Sequence, residues 1–188
     1  MLSINEISEK LTNRMLRKNI IGDEEVDIYQ YGFEQLILSL LNFITAVIIG
    51  VGFKMLWQCI LVVFFFMIIR TYSGGYHTKT PKSCYLLTAF SIILMLSVIK
   101  CVHMNTIICM SLLCLSGIII MFLSPVESVN KPLDSIEKRE YKRKTIFIVC
   151  TEIVIAVIFL FLNTDVTKCI AVTQGTVGIS IILGYIKH

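Results

Sequence analysis

Between Met104 and Leu123 the chain reads MNTIICMSLLCLSGIIIMFL, a run without one Asp, Glu, Lys or Arg. About 20 apolar residues in helical geometry cross a hydrocarbon core, so this stretch is read as a membrane span. Five more apolar runs on either side follow the same rule: Phe33 to Gly52, Met55 to Ile69, Cys84 to Val102, Thr145 to Leu162 and Cys169 to Ile186. The second is short, and it tilts, extends through Arg70 by snorkelling, or is re-entrant. Composition agrees, with 56% hydrophobic and 16% charged residues in 188 and a mean hydropathy of +0.81. Soluble domains are closer to half apolar and a quarter charged. The expected fold is all-α: a polytopic integral membrane helical bundle of about six transmembrane or re-entrant helices, with an N-terminal amphipathic helix.

Three prolines and ten glycines leave no linker-like stretch, so 1–188 is read as a single membrane domain. Within it, 1–22 holds the amphipathic helix, 33–186 the transmembrane bundle, 70–83 a polar cytoplasmic loop and 124–144 a basic cytoplasmic loop. Ser3 and Glu6 make a capping-box pattern, and Ile4, Ile7, Leu11 and Met15 repeat at helical spacing opposite Lys10, Arg14 and Lys18. Such a helix lies on the inner leaflet or contacts a substrate peptide, since both use the same apolar stripe. Gly22 before Asp23-Glu24-Glu25 marks a helix end and a new start. No basic region precedes an apolar run near Met1, so a cleaved signal peptide is not expected.

The basic residues set the orientation. Of 17 Lys and Arg, all but Lys54, Lys100 and Lys168 fall in the N-terminal region, the 70–83 and 124–144 loops, or at Lys187. The positive-inside rule then places both termini and both polar loops in the cytoplasm. The net charge of +4 flanks apolar runs rather than forming one basic face, so nucleic acid is not an expected partner. Seven cysteines without framework spacing, most of them inside apolar runs, do not read as a disulfide scaffold.

The segment Arg70-Thr71-Tyr72-Ser73-Gly74-Gly75-Tyr76-His77-Thr78-Lys79-Thr80-Pro81-Lys82-Ser83-Cys84 carries the candidate chemistry. Gly74 and Gly75 permit positive φ or close backbone approach. Thr80 before Pro81 looks like an N-cap followed by a first-turn proline, which sets Cys84 near a helix start. Unsatisfied amides and the positive end of a helix dipole favour a thiolate there. His77 precedes Cys84 by seven residues, within the reach of a loop that folds back to pair base and nucleophile.

Arg70, Gly74-Gly75, His77, Pro81 and Cys84 together resemble the motif of the accessory gene regulator B family, membrane cysteine peptidases that mature quorum-sensing pro-peptides. The resemblance extends over most of the chain and includes Ser124-Pro125-Val126-Glu127-Ser128-Val129-Asn130-Lys131-Pro132-Leu133 ahead of the basic stretch. It implies that Cys84 and His77 are the catalytic pair, that Arg70 and Gly75 support activity, and that the substrate is an AgrD-like pro-peptide with an acidic tail. It further implies a thioester at Cys84, captured by the pro-peptide's own cysteine to close a thiolactone, and a homodimer. Arg70, Gly74, Gly75, Lys79, Lys82, Glu127 and Lys131 are the candidate supporting or substrate-binding residues. For the basic cluster two readings stand, steering of the acidic tail and retention by anionic membrane lipid. Glu127, Asn130 and Asp134 are candidates for orienting His77. A non-enzymatic membrane protein for peptide binding or transport is the alternative function.

Glu152 lies mid-way along the fifth run, where a carboxylate costs about 3 kcal/mol on insertion scales; a packing hydrogen bond with Asn42, Gln58 or Gln174 is expected. Cys101, His103 and Cys169 form a second cysteine/histidine group on the opposite side, short of the usual zinc ligand set, so no metal and no cofactor is expected. Ala171-x-x-x-Gly175 and Ser180-x-x-x-Gly184 place small residues four apart on the last run, allowing close helix contact within or between chains.

Overall fold

The structure, a computed structural model, describes residues 4–76, 80–127 and 134–187. Among the described residues seven α-helices follow one another: α1 (Ile4–Arg17), α2 (Val26–Phe53), α3 (Leu56–Ser73), α4 (Pro81–Cys101), α5 (Thr106–Leu123), α6 (Ser135–Leu162) and α7 (Thr164–Lys187). All but α1 are long and apolar enough to cross a membrane. The chain is a multi-pass membrane protein of all-α class; among the described residues there is no strand, only an isolated bridge between Gly74 and Val126.

The chain divides into two compact units, Met1–Thr45 and Ala46–His188. In the first, α1 buries Ser8 and Thr12 while Ile7 and Leu11 stay exposed. The Ser8 hydroxyl donates to Glu34 Oε1 at 3.3 Å on α2 and to the Asn5 carbonyl at 2.9 Å. A 3-10 turn over Asp23–Glu25 starts α2, with the Gly22 N–H donating to Glu25 Oε2 at 3.0 Å. The new start expected after Gly22 is therefore present, whereas α1 ends earlier than the expected 1–22, at Arg17. Ser3, half of the anticipated capping box, lies outside the described residues.

In the second unit α7 is the central post, in contact with α3, α4, α5 and α6. Its span is 56% buried, against 17–28% for those four. Small residues permit this. A Cβ on Gly175 would stand 3.1 Å from Leu112 of α5, and one on Gly178 3.5 Å from Ser116. Two apolar clusters fill the interior. One includes Val62, Leu96, Leu113 and Ile170; the other, nearer the ends that carry the candidate site, joins Ile69, Ile120, Val126, Val149, Val177 and Ile181. Outward residues such as Phe64, Phe90, Phe147 and Phe161 are exposed, as a lipid-facing surface requires.

Two boundaries differ from the sequence reading. The helix over the short second run continues through Arg70 to Ser73, reaching 18 residues, or about 27 Å at 1.5 Å per residue. The polar connection is accordingly narrower than 70–83: it begins at Gly74 and ends at Thr80, because Pro81 to Ser83 already belong to α4. Likewise Lys138, Arg139, Lys142, Arg143 and Lys144 of the 124–144 stretch are not in a loop but in α6. Asp134 caps α6 through the Ser135 N–H at 2.7 Å, and its own N–H donates to Glu137 Oε2 at 3.2 Å, so Lys138 to Lys144 form the first helical turns. Local capping chemistry outweighed the high charge density.

Candidate active site

Five helix ends meet at one end of the second unit: the last turns of α3, α5 and α7 and the first turns of α4 and α6. Those of α3, α4, α5 and α6 are stopped or started by a recognisable residue. α3 stops where Gly74 takes φ +67° and Gly75 φ +125°. The combination of φ +67° with ψ −142° at Gly74, and the φ at Gly75, suit glycine. α5 stops at Ser124, whose peptide bond to Pro125 is cis.

The two glycines also sit where no side chain fits. A Cβ on Gly74 would overlap the Val126 carbonyl oxygen, and one on Gly75 would overlap Arg70 Nη1. Val126 donates its N–H to the Ser73 carbonyl at 2.9 Å, so the Ser124–Val126 segment runs beside the end of α3 as a short parallel pair. From α7, the Ser180 carbonyl accepts the Tyr76 N–H at 2.9 Å. Gly184 lies one turn on, where a Cβ would come within 2.8 Å of Gly75 C and Tyr76 N.

Arg70 holds this arrangement together. Its Nη1 donates to the Gly74 carbonyl at 3.0 Å and to the Ser180 hydroxyl at 2.6 Å, while Nη2 donates to the Tyr76 carbonyl. A planar fork with several fixed donors matches three acceptors in one small region, which a lysine cannot do. The same guanidinium lies in electrostatic range of the Cys84 thiol.

Cys84 occupies the first turn of α4 and is half-buried. Thr80 is the N-cap, its Oγ1 accepting the Ser83 N–H at 3.3 Å, and Pro81 follows it. The Cys84 N–H donates to the Thr80 carbonyl at 3.1 Å, so the cysteine stands inside the helix. Lys82 is exposed on the same turn. His77, Lys79 and Lys131 lie outside the described residues, as does Asn130. The other two candidates for orienting His77 are engaged elsewhere: Glu127 pairs with Lys138 at 2.9 Å, and Asp134 caps α6.

The remaining cysteines differ in setting. Cys59, Cys109 and Cys169 are buried; Cys101, Cys114 and Cys150 are exposed, Cys101 at the far end of α4. Cys169 is thus in the core while Cys101 and His103 are exposed, and no group of three potential metal ligands occurs among the described residues. Glu152 is buried in α6 and accepts from Gln174 Nε2 of α7 at 3.2 Å, one of the anticipated partners.

The family model for accessory gene regulator B matches residues 6–182, nearly the whole chain. The chain belongs to the accessory gene regulator B family. Membership carries the accessory gene regulator role with it. Two relatives from Clostridium perfringens are similar. "Putative AgrB-like protein" of strain SM101 / Type A is 28% identical over 190 residues, covering 95% of this chain and 84% of its own. "Putative AgrB-like protein 2" of strain 13 / Type A is 28% identical over 152 residues, covering 75% and 69%. No solved structure matches.

Ser180 and Gly184 were legible only as small residues suited to helix packing. In the structure they meet the Gly74–Tyr76 turn, and the Ser180 hydroxyl also meets Arg70 in the last turn of α3.

Proposed function

We propose that this chain is a membrane-embedded cysteine endopeptidase that removes the C-terminal tail of an AgrD-like quorum-sensing pro-peptide at the cytoplasmic membrane edge. The observation that carries the reading is the placement of Cys84. It is a half-buried thiol on the first turn of α4, in electrostatic range of the arginine that ties down the turn ending one residue before His77.

Cys84 attacks the carbonyl carbon ahead of the tail while His77 accepts the thiol proton. The C–N bond breaks, His77 returns that proton to the leaving amine, and a thioester joins the peptide to Cys84. The peptide's own thiol then attacks the thioester carbonyl, closes a thiolactone and releases Cys84 as the thiol. No ATP is consumed, because the thioester retains much of the reactivity of an activated acyl group. Exclusion of water at the membrane edge favours ring closure over hydrolysis.

In this reading Arg70, Gly74 and Gly75 act by positioning. Arg70 gives three hydrogen bonds among the described residues, all to backbone and hydroxyl oxygens of its own chain. Contact with the peptide falls instead to Lys79, Lys82, Glu127 and Lys131, with the active site and both termini cytoplasmic and the protein homodimeric. Co-expression with the pro-peptide provides the test. Tail removal should stop in Cys84→Ala and in His77→Ala while both variants still reach the membrane. Cleavage persisting in both would remove the dyad. Loss of peptide export with cleavage intact would favour a non-enzymatic conduit.

A further inference from the structure

A groove of about 540 Å³ opens between the end of α5, the start of α6 and the end of α7, apart from Cys84 and Arg70. One side is aromatic: Phe122 is 79% exposed and Tyr185 63% exposed. The other side presents Lys138, Arg139 and Lys142 from the first turns of α6, against one carboxylate, Glu127. Lys138 is occupied by Glu127 at 2.9 Å, and Lys142 uses one donor on the Phe122 carbonyl at 3.0 Å. Arg139 has no hydrogen-bond partner among the described residues. Ser124, which also lines the groove, is only 4% exposed, and its hydroxyl oxygen is buried without a partner.

The level of this groove decides what occupies it. The span of α5 ends at Leu123 beside the charged first turns of α6, so the groove opens where hydrocarbon gives way to headgroups. Aromatic side chains concentrate at that level, and basic pockets between membrane helices there bind anionic headgroups. An acidic peptide would use the same cations but has no need of exposed aromatics beside the acyl chains.

We infer that this groove is a binding site for the headgroup of an anionic phospholipid. Phosphate oxygens accept from Arg139 and from the remaining donors of Lys142, the Ser124 hydroxyl adds a further donor, and an acyl chain runs past Phe122 along α5. The inference does not depend on the peptidase reading, since it uses neither Cys84 nor His77.

The test uses the full chain in nanodiscs of phosphatidylcholine with a minor fraction of phosphatidylglycerol, followed by native mass spectrometry under gentle delipidation. Phosphatidylglycerol should be retained about tenfold over phosphatidylcholine, and Arg139→Gln with Lys142→Gln should abolish the preference. Arg143→Gln should keep it, because Arg143 lines a different surface with Tyr72 and Phe147. Thermal unfolding gives a second readout: phosphatidylglycerol should raise Tm of the native chain and not of the double variant. Equal retention of the two lipids would overturn the inference. So would an Arg143→Gln effect as large as that of the double variant, which would mean diffuse attraction. Protection of the groove by a soluble Asp/Glu-rich peptide, with no competition from phosphatidylglycerol, would make it a peptide site instead.

Discussion

The Arg70 guanidinium donates to the Ser180 hydroxyl at 2.6 Å, joining the last turn of α3 to a residue 110 positions away on α7. With its bonds to the Gly74 and Tyr76 carbonyls, this contact makes the turn before His77 part of the bundle rather than a free loop. A dyad needs its members held within a few tenths of an ångström of the productive geometry.

Ser180→Ala removes one acceptor of a charged donor and leaves the others. Hydrogen bonds to charged groups contribute roughly 1.5–3 kcal/mol, so tail removal should slow by about tenfold or more while the protein stays folded. Arg70→Lys should fall with Arg70→Ala rather than rescue it, because an ammonium cannot serve three acceptors in a fixed fork. Processing rates at equal protein levels measure this, and a fully active Arg70→Lys would contradict the clamp.

Gly75→Ala and Gly184→Ala press on the same turn from two sides. At Gly75 both the positive φ and Arg70 Nη1 oppose a methyl group; at Gly184 the obstruction is backbone at 2.8 Å. Overpacking of this kind costs about 1–3 kcal/mol, so each variant should lower Tm and reduce processing. Gly32→Ala is the control, with open space around its Cβ. Thermal unfolding in nanodiscs reads all three.

Inside the bundle, Gln174 Nε2 donates to Glu152 Oε2, while Glu152 Oε1 and Gln174 Oε1 have no partner among the described residues. Glu152→Ala strands a buried amide and should cost about 1–3 kcal/mol. Glu152→Gln keeps an acceptor for that amide and should cost less. Replacing both by leucine should recover much of the loss, since removing both partners of a buried polar pair is cheaper than removing one. A double variant less stable than Glu152→Ala alone would show that the pair does more than pack.

Cys84 and Cys101 lie at opposite ends of α4, separated by about 25 Å along a helix axis. A water-soluble maleimide should therefore reach Cys84 from one face of the membrane and Cys101 from the other. Cys114 and Cys150 are exposed within their spans and should be shielded by lipid. Labelling of sealed vesicles of known sidedness, read by mass spectrometry, checks both points. Cys84 and Cys101 modified from the same face would break the proposed orientation.

Much of this protein was legible in one dimension because its decisive signals are local. Thr80 and Pro81 announce a helix start within two residues, and the structure begins α4 there. Asp134 and Glu137 announce another, yet the surrounding lysines and arginines read as a loop, since charge density is a weaker guide than capping. Arg70 reads in the sequence as either a supporting residue or a contact for an acidic peptide, because an arginine near the membrane edge has many uses. Its occupied donors became visible only once α7 was in place.

The six spans, the membrane class and the helix-start position of Cys84 are readable along the chain, because hydrophobic run length and capping depend on near neighbours. Long-range packing is what sets the Gly74–Tyr76 turn against Ser180 and Gly184, bonds Arg70 internally, and puts the basic start of α6 beside a groove with Phe122 and Tyr185. The physical reason is the same in each case. Small residues four apart on a helix specify that something can come close, and only the packing of distant segments specifies what does.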